Sequence, residues 1–395
     1  MSNLFMNNNR SGVSGKAVPR YFKIKFVFFL VSMLCVLPAF ARLPQYSIVT
    51  TDIPTADSGS IVRYSVHAAT VDDDYTVDVW VPDAYSSDDD TDYPVVYVQD
   101  GQNLFDKKFS FANVAWELDG KTQSLIQKGY IVSPIIVGIS NRGAGNLRAN
   151  DYFPEKALNF IAEEDKSDTK VFQTCASGFY GDEYAAFVAT ELKPLIDNLY
   201  RTNPDRSHTF AMGSSMGALI SLYLLCEYPD TFGGAACLST HWIGSLDLNA
   251  DYTMNDDQVC ANAILAYLDA ALPSPSEHRL YFDQGTTGWD AGYLKYEPVA
   301  RLTAESHGYS TDAGTLMTYD ARGAGHNEWF WQQRADRPLK FLLDKSYFAS
   351  TPVIVTPTVN DRRYISLSGL VFECDDTSLL CPGIYINAGR KIVIR

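Results

Sequence analysis

The chain has 395 residues, 46% hydrophobic and 13% aromatic, enough apolar material for a large core, which excludes disorder as its general state. Its net charge is −15, and because residues 1–41 hold five cations and no acid, the remainder stands at −20. So acidic a body argues against nucleic acid or an anionic membrane as a partner.

Residues 1–41 have the layout of an export signal. A basic stretch ends at Lys25, an apolar run covers Phe26 to Leu37, and Ala39 and Ala41 supply the small residues that a signal peptidase reads. Cleavage after Ala41 is expected, and the run is too short for a stable membrane span. Export would leave six cysteines, Cys175, Cys226, Cys237, Cys260, Cys374 and Cys381, in an oxidising compartment. Cys374 and Cys381 are close enough in one loop to pair, whereas Cys226 and Cys237 fall in apolar segments suited to buried thiols. No Cys/His spacing suggests a metal site, and no cofactor motif is evident.

The body is expected over residues 42–348. Residues 45–58 read as an irregular lead-in, followed by a hairpin of strands Ser60 to Ala68 and Tyr75 to Val81. The acidic tract from Ser86 to Asp92 lacks the glycine and terminal glutamate of a calcium loop and reads as a solvated turn. From Tyr93 onward apolar strands alternate with helices, the pattern of a largely parallel sheet covered on both faces. Strands are expected at 94–99, 131–139, 209–212, 234–239, 280–284 and 316–320, and helices at 113–128, 184–198, 216–228, 292–307 and 327–344. Ligands of such α/β sheets bind beyond the carboxyl ends of the strands. A linker is expected at 349–362 and a small β tail at 363–395.

The segment from Thr209 to Tyr223 joins an apolar strand, a Gly-x-Ser-x-Gly turn and a helix, with Gly213 and Gly217 flanking Ser215. Glycines at those places permit the sharp turn that lifts a serine hydroxyl out of a sheet, beside the unpaired N–H groups of a helix start. A nucleophilic serine needs a base and an acid to orient it, in the chain order serine, acid, histidine. His326, in the glycine-rich loop Arg322-Gly-Ala-Gly-His-Asn-Glu328, is best placed as the base, while His278 and His307 read as surface residues. Asp290, beyond a strand, is the preferred acid. Asp283 within that strand is the alternative, with Asp320 third. His241 and Trp242, after the next strand, are candidates for the pocket wall, with a structural role for His241 equally open. The oxyanion hole would take the amide of Met216 and, from the loop Gln99-Asp-Gly-Gln-Asn103, the amide of Gln102.

Four segments in order, Tyr93-Pro-Val-Val-Tyr-Val-Gln-Asp-Gly-Gln-Asn-Leu-Phe105, Glu191 to Thr202, Gly213-Ser-Ser-Met-Gly217 and Gly325-His-Asn-Glu-Trp329, resemble the motifs of the Putative esterase (esterase D-like) family of α/β-hydrolases. That family includes feruloyl and acetylxylan esterases, siderophore esterases and mycolyltransferases. The resemblance runs from about Ser60 to Phe348 and implies a Ser215, His326 and Asp290 triad with oxyanion amides at Gln102 and Met216. The spacing from Gly285 to Asp290 is longer than the family's Gly-x-x-Asp, which leaves the acid open. The segment from Asn141 to Pro154, with Arg148 and Tyr152, resembles the family's substrate-side loop. Residues from Tyr364 to Arg395 resemble the end of a type IX secretion sorting domain. The function implied is an exported serine carboxylesterase acting on feruloyl or acetyl groups of carbohydrate. The alternatives are acyl transfer to a sugar, a siderophore esterase, and a silent carbohydrate-binding surface protein.

Overall fold

The computed structural model describes residues 43–86, 91–143 and 146–350, with four short strands of the tail. The expected signal at residues 1–41, residues 351–362 of the linker expected at 349–362, and the expected pair of Cys374 with Cys381 lie outside the described residues, while residues 349–350 end the helix Lys345–Ser350.

Nine strands form one sheet: β1 (Tyr46–Val49), β2 (Ser60–Ala68), β3 (Asp73–Val81), β4 (Val95–Gln99), β5 (Ile135–Ile139), β6 (Thr209–Ser214), β7 (Gly234–Leu238), β8 (Arg279–Gly285) and β9 (Leu316–Ala321). The spatial order is β1-β2-β3-β5-β4-β6-β7-β8-β9. Pairing is antiparallel from β1 through β3 to β5 and parallel from β5 to β9. The parallel strands β4 to β8 are buried along their whole length, as apolar runs covered by helices on both faces must be. After β4 the chain crosses outward to β5 and then returns to β6 on the other side of β4. The strand order therefore reverses between β4 and β6, where an open α/β sheet leaves a crevice at its carboxyl edge.

The helix Met216–Glu227 lies on one face, and its residues from Met216 to Cys226 are all buried. This helix is apolar all round because sheet and outer helices enclose it. The helices Leu118–Gln127 and Asp336–Leu343 cover the opposite face through Leu118, Leu125, Leu339, Phe341 and Leu342. Cys175, Cys226, Cys237 and Cys260 are buried free thiols.

Several elements differ from the sequence expectation. The lead-in contains β1, whose four residues pair at the sheet edge with β2. The helix Gln258–Ala271, capped by the Asp257 carboxylate accepting from the Cys260 amide, was not anticipated. The expected helices at 292–307 and 327–344 are each broken. Pro298 and Pro338 have no N–H to give, so each chain restarts with its proline in the first turn of a new helix, Glu297–Ser306 and Asp336–Leu343. In the tail, Arg363–Ser366, Val371–Glu373, Gly383–Asn387 and Arg390–Ile394 form a separate four-stranded sheet. Among the described residues no helix is long and apolar enough to cross a membrane.

The loop after β7 is pinned by Trp242. Its indole Nε1 donates to Glu297 Oε2 at 2.6 Å, and Arg301 Nε reaches Glu297 Oε1 at 3.3 Å. Burial pushes the Glu297 carboxyl up to about 7 against the opposing pull of Arg301 and Trp242. Its folded value thus lies above the ordinary 4.5, so the folded state holds the proton more tightly and stability falls as pH rises from about 4.5 to about 7. Urea unfolding of the Glu297→Gln protein between pH 5 and pH 8 is expected to show a smaller loss of stability with rising pH than the parent; an identical slope would contradict this assignment.

Candidate active site

Ser215 follows β6, Ser239 follows β7, Asp290 follows β8 and His326 follows β9, and the four form one hydrogen-bonded chain, with the end of β4 packed beside the serine. Ser215 follows β6 with φ 58° and ψ −126°, a region that side chains other than glycine rarely occupy and that costs about 1–3 kcal/mol. The turn is possible because Gly213 has no Cβ, which would sit 2.3 Å from the carbonyl oxygen of Gly217. The main-chain oxygen of Ser215 accepts from His241 N at 3.2 Å, and its amide donates to Leu238 O at 2.9 Å, tying the strained residue to β7.

His326 Nε2 lies 2.8 Å from Ser215 Oγ, and His326 Nδ1 lies 2.6 Å from Asp290 Oδ1. An ionised carboxylate only accepts, so Nδ1 carries the proton and Nε2 is free to accept the serine hydroxyl. Three aromatic rings enclose the imidazole: Trp331 at 4.9 Å and Trp289 and Tyr293 at 5.5 Å, centroid to centroid. The acid meeting His326 is Asp290. The loop carrying it is stapled to the histidine loop by Thr286 N and Thr287 N, which donate to Ala324 O at 2.9 and 3.0 Å.

Asp290 has no exposed surface. Burial alone would push its carboxyl up, but hydrogen bonds from His326, Ser239 Oγ (2.7 Å) and Gly285 N (2.7 Å) more than offset it and hold it below the usual range. A Cβ at position 285 would fall 2.4 Å from Asp290 Oδ2, so the lengthened Gly285 to Asp290 spacing still brings the carboxylate home. Asp283 is otherwise engaged: its Oδ1 takes Arg334 Nε at 3.0 Å and its Oδ2 takes Tyr281 OH at 2.9 Å. Asp320 faces outward, paired with Arg301 at 2.8 Å.

The oxyanion candidates lie at the β4 and β6 ends. Met216 is the first residue of its helix, where N–H groups have no intrahelical carbonyl to meet. Gln102 sits in the single 3-10 turn Gly101–Asn103, entered through Asp100 at φ 58°. A Cβ on Gly217 would touch Asp100 Oδ2 at 3.0 Å and Gln99 Cβ at 3.1 Å, so this turn packs directly against the serine elbow. Asp100 is clamped by Arg148, with Nε to Oδ1 at 2.7 Å and Nη2 to Oδ2 at 2.8 Å, and by Asn141 Nδ2 at 2.6 Å. The Asp100 amide donates to Tyr152 OH at 3.1 Å. Arg148 and Tyr152 thus hold the turn, with Tyr152 fully buried. Glu328, next to this cluster, has its carboxyl raised by burial and by the charge of Asp100.

Neither candidate for the pocket wall lines the pocket. Trp242 has no exposed surface and points to Glu297. His241 is equally enclosed: its Nε2 donates to Ser245 O at 2.9 Å and its Nδ1 accepts from Tyr293 OH at 2.6 Å, while burial drives it down to about 3. Both follow a strand end, but the chain turns at Ser239 and carries them inward, so that His241 takes the structural alternative left open for it. His278 is also buried, between the carbonyls of Ser274 and Pro229. The open pocket, about 360 Å³, is lined instead by Thr287, Gly288, Trp289, Gly325, His326, Asn327 and Phe330. Ser239, Trp331 and Arg334 behind the acid were missed; only an arginine spaced into an apolar helix face could have signalled them. Among the described residues no group of three or more His, Cys, Asp or Glu could hold a metal.

The family model described as Putative esterase matches residues 68–341. Two Bacillus subtilis (strain 168) proteins are similar, both named as uncharacterized: YbbA, 25% identical over 165 residues, covering 42% of this chain and 56% of that one, and YjcH, 24% identical over 176 residues, covering 45% and 60%. The matches thus span little more than half of these relatives' length. Among solved structures, a ferulic acid esterase superimposes with a TM-score of 0.52 at 18% identity, covering 72% of this chain and 98% of its own. The enterobactin esterase FES from Shigella flexneri gives 0.51 at 14%, covering 74% and 61%. The ferulic acid esterase AmCE1/Fae1A from Anaeromyces mucronatus gives 0.50 at 15%, covering 75% and 96%. These likenesses establish the α/β-hydrolase fold, and with its family model matched from residue 68 to residue 341 the chain belongs to the Putative esterase family.

Proposed function

We propose that the protein is a serine carboxylesterase that works through an acyl-enzyme at Ser215. The observation that carries this reading is the unbroken chain from Ser215 Oγ through His326 to Asp290, at 2.8 and 2.6 Å, on a strained elbow at a helix start. His326 Nε2 takes the Ser215 proton as Oγ attacks the ester carbonyl, and the ionised Asp290 stabilises the imidazolium that results. The amides of Gln102 and Met216 receive the developing oxyanion, a contribution of about 3 kcal/mol per donor. The imidazolium then protonates the leaving alcohol, and water, activated by the same nitrogen, releases the acid and regenerates Ser215.

The pocket beside His326 is walled by Trp289 and Phe330, rings against which a planar aromatic acyl group can pack. An acyl group of the feruloyl kind, carried on carbohydrate, is therefore the substrate we infer, with acetyl esters as smaller alternatives. Export through residues 1–41 belongs to the same reading, since carbohydrate esters of that kind lie outside the cell.

The Ser215→Ala protein is expected to lose roughly 10³-fold or more of its kcat on p-nitrophenyl acetate; unchanged hydrolysis would remove the proposal. Replacing Trp289 by alanine is expected to raise KM for methyl ferulate about tenfold while leaving p-nitrophenyl acetate nearly unaffected, and equal effects on both would count against an aromatic acyl group. Mass spectrometry of the exported protein should find its first residue at Arg42. A chain retaining Met1 outside the cell would refute cleavage after Ala41.

A further inference from the structure

Behind Asp290 lies a second hydrogen-bonded chain. Ser239 Oγ is 2.7 Å from Asp290 Oδ2, 2.7 Å from Arg334 Nη2 and 3.1 Å from Trp331 Nε1. A hydroxyl has one proton to give and two lone pairs to receive. Guanidinium and indole N–H groups only donate, and an ionised carboxylate only accepts. The Ser239 proton therefore has a single place to go, Asp290 Oδ2, and both lone pairs are taken by Arg334 and Trp331.

The backbone is bent to achieve this. Ser239 is fully buried with φ 44°, a left-handed conformation uncommon outside glycine. Its amide stays registered on β8 by donating to Asp283 O at 2.7 Å. Arg334, only 4% exposed on its side chain, is balanced by Asp283, which itself has none of its side chain exposed. A direct pair between Arg334 and Asp290 would hold the carboxylate but would also compete with the imidazolium for its charge. With the serine between them, Asp290 feels a fixed donor while the cation is matched elsewhere. Trp331 adds a further constraint, since the ring that donates to Ser239 also packs edge-on against His326 at 4.9 Å.

We propose that Ser239, held by Arg334 and Trp331, is a positioning residue that fixes Asp290 so that its other oxygen meets His326, and that Asp283 serves this arrangement by holding Arg334. The inference rests on Ser215, His326 and Asp290 acting as one reacting unit. Hydrolysis of p-nitrophenyl acetate by Ser239→Ala and Ser239→Gly tests it, the glycine variant removing the hydroxyl where the backbone suits glycine best. For both, kcat is expected to fall about tenfold, the effect of losing one charge-assisted hydrogen bond, with KM within about twofold of the parent. In an Asp290→Asn background the same replacements are expected to change kcat by less than about twofold, because the group they act through is gone.

Two results would overturn the inference: folded Ser239 variants with parental kcat, or an undiminished tenfold loss in the Asp290→Asn background, which would mean that Ser239 supports the fold independently of the acid. If Ser215→Ala retains activity, the reading of the site itself falls. Loss in Ser215→Ala with parental kcat in the Ser239 variants strikes this inference alone.

Discussion

Asp290 carries a carboxylate with none of its surface in water, and an isolated charge in that position would simply take up a proton. The surrounding structure supplies donors until the charge is tolerable. One oxygen receives His326; the other receives the Gly285 amide and the Ser239 hydroxyl. Each donor imposes a condition on the chain. Gly285 must lack a side chain, Ser239 must bend into a left-handed conformation, and the histidine loop must be drawn against the acid loop through Ala324 O. Those conditions explain why glycines and strained residues gather at one edge of the sheet.

The same edge holds a second buried carboxylate, Asp283, and the contrast is informative. It lies within β8, fully enclosed like Asp290, yet it faces a guanidinium and a phenol rather than an imidazole. Neighbours decide the job of a buried acid, because the two carboxylates are equally enclosed. A permanent cation such as Arg334 fixes a carboxylate, whereas an imidazole that gains and loses a proton can use one. The break before Pro338 also matters, since it leaves Arg334 in the short segment just after the helix Glu328–Gln332 that carries Trp331, and from there both reach Ser239.

The parallel half of the sheet was legible because buried strands leave continuous apolar runs, and Ser215 was legible because its turn needs Gly213 and Gly217. His326 followed from a glycine-rich loop after the last strand. Other features left little trace. β1 is four residues on an edge, too short for a period to show. His241 and Trp242 looked like wall residues because they follow a strand end, but one bend at Ser239 turned them inward, and a serine gives no sequence warning of a positive φ. The choice between Asp290 and Asp283 depended on the path of a loop, which spacing does not determine.

The central claim is that the hydrogen-bonded chain makes Ser215 the nucleophile, and covalent labelling tests it directly. A fluorophosphonate added to the protein, followed by peptide mapping, is expected to place the phosphonyl group on the peptide bearing Ser215 and to leave the His326→Ala protein nearly unlabelled. Labelling at another residue, or equal labelling without His326, would contradict the account.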